Sequence, residues 1–314
     1  MTTYTLKHGL EIRISSWGAT WLSCRLANGR KIILGSRDLA AMLAGGAYLG
    51  CSVGRYAGRI AQAQWQGHTL NANQPPHILH GGQQGFSRRL WQVDSHSTRE
   101  ITLSLTSAAG DQGFPGTMDV EAHYKLEDQH SLRITYRART NAPTPCNLTN
   151  HAYFNLNGDE GGLNQTLTIH AAHYQPVAVD GIPNAPARTV AGTTFDFRTA
   201  KCIARDYCQD EEQRAVGGYD HSFLLDNHGS ESLAAELISA DANVKLQLFT
   251  NQPALHLYTG QYLAGVENRE GRPYPANAGI ALESQYPPDS PSHGAAILQP
   301  GDTYIHHILY RFLY

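Results

Sequence analysis

A few short segments of this sequence gather polar residues in ways that a plain strand-rich protein does not need. In Gly279-Ile280-Ala281-Leu282-Glu283-Ser284-Gln285, strand alternation puts Ile280 and Leu282 on one face and Ala281, Glu283 and Gln285 on the other. Glu283 is then either a solvent-facing carboxylate or the base of a pocket. Asn147-Leu148-Thr149-Asn150-His151-Ala152-Tyr153-Phe154-Asn155-Leu156 crowds asparagines and a histidine among apolar positions. Buried polar side chains must find partners, so such density is expected to line a wet pocket more than to fill a core. In Gly54-Arg55-Tyr56-Ala57-Gly58-Arg59-Ile60 two arginines stand four apart, either as surface cations or as a clamp, since a guanidinium holds several donors in fixed geometry. His77 and His80 precede Gly81-Gly82; no third ligand stands with them at metal spacing, so a single hydrogen-bonding histidine on a turn is the better reading. In Gly217-Gly218-Tyr219-Asp220-His221 the aspartate either caps a turn or faces a ligand.

These groups must be held by strands. Met118, Val120, Ala122, Tyr124 and Leu126 alternate with Asp119, Glu121, His123 and Lys125, which makes a strand with one wet side. After the turn at Asp128-Gln129-His130 the pattern resumes with Leu132, Ile134 and Tyr136, giving an antiparallel hairpin. Similar patterns cover Leu10–Ser15, Trp21–Leu34 with a turn at Asn28-Gly29, Ile101–Thr106, Leu167–His170, Ala234–Leu248 and Tyr304–Tyr314. Only Asp38–Leu43 and a stretch near Ala200–Arg214 read as helical, too little to build a layer. The fold class expected is all-β, a large antiparallel sandwich with few short helices. Gly and Pro are scattered as turn punctuation, with no linker and no repeat, so residues 1–314 are expected to form a single domain.

Composition narrows the partners. The 314 residues carry a net charge of −3 with no basic stripe, which argues against nucleic acid. No long apolar run and no basic-then-apolar start point to a membrane span or signal peptide, and the chain reads as cytoplasmic. The 5 cysteines include no C-x-x-C pair and fit free thiols in a reducing compartment. P-loop, H-E-x-x-H, G-x-S-x-G and G-x-G-x-x-G motifs are all missing, so whatever chemistry occurs is expected to use side chains alone, with no cofactor and no metal.

Taken in order, these segments resemble the signature blocks of the aldose 1-epimerase (galactose mutarotase) family. The resemblance includes Asp111-Gln112-Gly113-Phe114-Pro115-Gly116, Gly192-Thr193-Thr194-Phe195-Asp196-Phe197, Tyr258-Thr259-Gly260 and Leu298-Gln299-Pro300-Gly301, and runs from about Trp17 to Phe312. It implies a galactose mutarotase-like sandwich that interconverts the α and β anomers of a free hexose such as galactose or glucose. By the same resemblance Glu283 is the general base and His151 the general acid. His80 hydrogen-bonds near the reacting end, and Arg59 and Asp220 bind sugar hydroxyls. Tyr153, two residues after His151, projects to the same strand face and is a plausible extra contact. Tyr56 or Tyr258 is available to cover an apolar sugar face.

Departures from the family pattern fall in the binding shell. Gly58 stands where the family usually has Asn, and His256 where many members have Gln; both are assigned to substrate binding. The segment after Asp289 is short. The alternatives are a mutarotase for an acidic or otherwise modified sugar, which a protonated His256 would favour, and a non-catalytic sugar-binding protein on the same fold. The expected partner is a small sugar, with the protein acting as monomer or homodimer.

Overall fold

Period-two alternation becomes antiparallel sheet wherever one face can be buried, and in the computed structural model, which describes residues 1–44, 46–158 and 161–314, it does so in strands spread from Thr3 to Leu313. Met118–Leu126 pairs with Ser131–Thr140 in register, Tyr124 opposite Ile134 and Ala122 opposite Tyr136, and the apolar set is buried. This hairpin belongs to a nine-stranded sheet whose order is Lys201–Cys202, Thr166–Ile169, Ser232–Ile238, Lys245–Thr250, Tyr304–Leu313, Ser131–Thr140, Met118–Leu126, Glu100–Ser107, Gln92–His96. A six-stranded sheet runs Tyr153–Phe154, Ile280–Gln285, Ala254–Tyr258, Asp220–Leu224, His173–Gln175, Arg188–Thr189. Thr3–His8, Leu10–Ser15 and Thr20–Arg25 form a third sheet. The all-β, large antiparallel architecture expected from the sequence is the one observed.

Some boundaries differ from expectation. The segment 234–248 is two strands, Ser232–Ile238 and Lys245–Thr250, because Asp241 Oδ1 accepts from Ser239 Oγ (2.6 Å) and from the Asn243 N–H (3.1 Å) and closes a turn. Beyond Asn28-Gly29 the return of the 21–34 segment is reduced to isolated bridges, Arg25 to Lys31 and Ile33 to Phe154. The first helix, Leu39–Ala44, starts on Asp38, whose Oδ1 accepts from the Ala41 N–H (3.0 Å). The second helical stretch splits into a 3₁₀ turn, Ile203–Asp206, and a helix, Glu211–Val216, capped by Asp210 and ended by Gly217 at φ +77°.

The main core lies between the two larger sheets: Leu246, Leu248, Tyr310 and Phe312 from one meet Phe154, Phe223, Leu255, Leu257, Ile280 and Leu282 from the other. Alternation then obliges the opposite face of the six-stranded sheet to carry the polar partners of those residues. Cross-strand register sets them in rows, Tyr153–Ala281–Tyr258–Asp220 and Glu283–His256–Ser222.

Candidate active site

Tyr153, Tyr258, Asp220, Glu283 and His256 of those rows form one wall of a cavity of about 240 Å³ whose lining also includes His151, His80, Arg59 and Gly58, so the residues singled out from the sequence converge in one place. Tyr48, Gln74, Gln285, Tyr262 and Pro288 also line it and were not anticipated. Alternation contained a signal for Gln285, which shares the Glu283 face; nothing local marked Tyr48, Gln74 or Tyr262. Tyr258 is in the lining, whereas Tyr56 is buried behind it with its hydroxyl donating to Pro287 O (2.7 Å). A larger cavity of about 500 Å³, bordered by Arg30, Lys31 and Arg269, contains none of the predicted residues, and its Arg30 and Lys31 are paired with Asp241 and Glu270.

His80 is aimed by two loops that grip each other. Its backbone N–H donates to Gly58 O (3.0 Å), and the Gly58 N–H donates to His80 Nδ1 (3.1 Å). A ring nitrogen that accepts cannot carry the proton in the neutral ring, so Nε2–H is the donor. His80 itself sits at φ +51°, followed by Gly81 at φ +81°, where a Cβ would lie 1.8 Å from Gly54 O; only glycine permits this approach. Burial, then the neighbouring His151 and Arg59, hold His80 well below the usual imidazole range, so it stays a neutral donor.

His151 and Glu283 face each other in the cavity, with Nε2 and Oε1 3.4 Å apart and 4% and 2% of each residue exposed. His151 is placed by backbone pairing, its N–H donating to Cys51 O and its carbonyl accepting from Gly50 (both 2.9 Å). Its ring stacks on Tyr153 (4.9 Å) and lies over Tyr48 (5.8 Å). Burial lowers His151 to about 4; burial and then the Asp220 charge raise Glu283 well above the usual carboxylate range, against the pull of Arg59. Among the described residues Glu283 Oε2, His151 Nδ1 and Gln285 Oε1 are buried without hydrogen-bond partners, polar atoms that a ligand rich in hydroxyls would satisfy.

Asp220 and His256 are bound to each other, His256 Nε2 lying 2.7 Å from Asp220 Oδ1, while His256 Nδ1 lies 2.9 Å from Ser222 Oγ. Burial pushes Asp220 up, but the His256 hydrogen bond and the charges of His256 and Arg59 outweigh it and bring it to about 2. With both ring nitrogens engaged, His256 has no free ring N–H to offer an anionic sugar. Arg59 donates through Nε to Gln74 Oε1 (2.8 Å). Arg55, by contrast, is a structural bolt, 2% exposed and donating to Ser107 O, Ala108 O and Pro115 O (2.8–2.9 Å).

The asparagines depart from the expected pocket lining. Asn147 Nδ2 donates to Ala57 O (3.0 Å) and Tyr286 O (3.2 Å), and its Oδ1 accepts from the Tyr286 N–H (3.0 Å). Asn150 Nδ2 donates to Gly50 O (2.8 Å) and Asn155 Nδ2 to Ala278 O (2.7 Å). Their density serves the irregular backbone around the cavity, which has no ladder to satisfy it. His77, likewise, is turned away from His80, with Nδ1 accepting from the Gln62 N–H and Nε2 near Asp180 (both 3.1 Å).

His80, His151 and Glu283 bring one potential ligand atom each to within 4.8 Å of one another. A metal-binding histidine normally donates its second nitrogen outward to an acceptor; His80 instead receives an N–H from Gly58, which leaves Nε2 protonated and unsuited to a metal. The trio is built for hydrogen bonds to oxygen.

Comparison with known proteins agrees with this chemistry. A sequence model described as aldose 1-epimerase matches residues 2–311. The chain is 41% identical to the aldose 1-epimerase of Escherichia coli over 97% of its own length and 92% of that protein, and 35% identical to the galactose mutarotase of Mus musculus over 96% and 91%. The crystal structure of an aldose epimerase homologue from C. elegans superposes with a TM-score of 0.89 at 29% identity, covering 99% of each chain.

Proposed function

The chain belongs to the aldose 1-epimerase family and interconverts the α and β anomers of an aldose, and we propose that it does so on free hexoses of the galactose and glucose type with Glu283 as general base and His151 as general acid. The observation that carries the assignment is the buried pair 3.4 Å apart in the lining of a cavity of about 240 Å³. Glu283 removes the proton from the C1 hydroxyl as the C1–O5 bond breaks, and His151 gives a proton to O5. Rotation about C1–C2 and reclosure on the other face, with both proton transfers reversed, gives the opposite anomer. Burial aids both transfers: it strengthens Glu283 as a base and His151 as an acid. Burial favours the pair's single proton on Glu283 in the unliganded cavity, and the reactive arrangement is the tautomer with that proton on His151. Nε2–H of His80 supports charge on a sugar oxygen, and Arg59 and Asp220 hold hydroxyls. Tyr153 and Tyr258 supply aromatic contact to the sugar from the cavity lining.

Gly58, at φ +83°, leaves room where a side chain would meet Gln285 and Pro288 at ordinary contact distances of 3.5–3.6 Å. In this reading the whole chain acts as one domain, in the cytoplasm, as a monomer or homodimer, without metal or nucleotide. Among the described residues no helix is long and apolar enough to cross a membrane. Polarimetry on freshly dissolved α-galactose, α-glucose and a 6-acidic hexose tests the substrate assignment. Acceleration of the neutral hexoses is expected, unchanged by chelator; preference for the acidic sugar would contradict it.

A further inference from the structure

On the sheet face beside Glu283, His256 lies directly opposite Glu283 on one neighbouring strand and opposite Ser222 on the other, and diagonal to Asp220. Ser222 is fully buried, His256 is 7% exposed, and the Asp220 side chain is 13% exposed. The sequence Ser222–His256–Asp220 repeats the residue types of a hydrolytic triad. Ser222 nevertheless lies outside the cavity lining and has no exposed surface, so it meets no substrate.

The hydrogen bonds define a different role. An ionised carboxylate only accepts, so His256 Nε2 carries a proton toward Asp220 Oδ1 whatever the charge of the ring. Ser222 Oγ holds the other ring nitrogen and prevents the imidazole from turning about its own axis. Among the described residues Asp220 Oδ2 has no hydrogen-bond partner, and Asp220 borders the cavity. A carboxylate tied at one oxygen by a locked donor presents the other in a fixed direction.

We propose that His256 is a positioning residue: anchored by Ser222, it fixes Asp220 so that the free carboxylate oxygen is pre-aimed at a sugar hydroxyl, and it does not itself hold the sugar. The inference rests on the sugar-binding reading of the cavity. It accounts for the arrangement without an anionic substrate, and it makes the imidazole part of sugar affinity at one remove.

Sugar dissociation constants measured by titration calorimetry test it, because they do not depend on turnover; the native protein's mutarotation rate, measured beside them, tests the catalytic reading separately. His256→Leu is expected to weaken galactose or glucose binding about tenfold, the scale of one hydrogen bond to a charged group. His256→Gln, which keeps an N–H donor for Asp220, is expected to remain within about threefold of native. In an Asp220→Asn background His256→Leu should cost little more than Asp220→Asn alone, because the group it aims is already altered. Ser222→Ala, the smaller change should the leucine variant fail to fold, is expected to weaken binding about threefold. Native affinity in folded His256→Leu or Ser222→Ala would overturn the proposal. So would a failure of Gln to restore affinity, or a leucine penalty equally large in the Asp220→Asn background.

Discussion

Glu283 and His151 are two groups whose ordinary proton affinities lie on the wrong sides for exchange with a sugar, and burial moves each toward the task we propose for it. A carboxylate of ordinary strength is a poor base for a hydroxyl, and the raised Glu283 is a better one; an ordinary imidazolium is a weak acid toward an ether oxygen, and the lowered His151 is stronger. The same burial costs stability. Glu283 binds its proton more tightly folded than unfolded, so its contribution to stability is fully present below about pH 4.5 and is lost as pH rises through its raised folded value. Gln at this position does not titrate. The melting temperature of Glu283→Gln relative to native should therefore rise between about pH 5 and about pH 8. A difference that is equal at both pH values would mean that Glu283 is not held protonated by the fold.

Strands place these side chains, but the loops that complete the cavity are held by latches. Asn147, with no exposed surface, ties the Arg55–Arg59 loop to the segment after Gln285 through three hydrogen bonds. Asn147→Ala should lower unfolding free energy by about 2–3 kcal/mol through the buried groups it leaves unpaired, and loosen sugar binding because Arg59 and Gly58 lose their support. Urea unfolding and KM check the two effects; a stable variant with native KM would show that the latch is dispensable. This element is also where the sequence is least legible. Alternation revealed that Glu283 and Gln285 share a face, because one side of their strand had to be apolar. It contained no register, and it is register that sets Glu283 opposite His256 and Tyr153 opposite Ala281. The asparagines were misleading for a related reason. A polar side chain needed by stray backbone amides has the same composition as one needed by a ligand, and only the partner tells them apart.

Across the whole molecule, the fold class was legible because alternation recurs from residue 3 to residue 313 and two helices of six residues cannot form a layer. The site was legible chiefly through ordered motifs, since its lining spans residues 46 to 288 and no local pattern links Tyr48 to Pro288. His256 shows the limit: its residue type suggested a free cation, and its two partners, 34 and 36 positions away, make it a donor to Asp220. What unites the molecule is that two sheets bury their apolar faces against each other and thereby oblige one outer face to carry the polar rows to which we assign ring opening. The most direct test of that claim is the pH dependence of kcat/KM for mutarotation of α-galactose or α-glucose in native protein, Glu283→Gln and His151→Asn, each checked to be folded. The native profile should be bell-shaped, bounded by the pair carrying two protons at low pH and none at high pH, and each variant should lose about two orders of magnitude or more in kcat, with the acid limb weakened or gone in Glu283→Gln. Near-native turnover in either folded variant, or an unchanged acid limb in Glu283→Gln, would contradict the assignment of proton transfer to this pair.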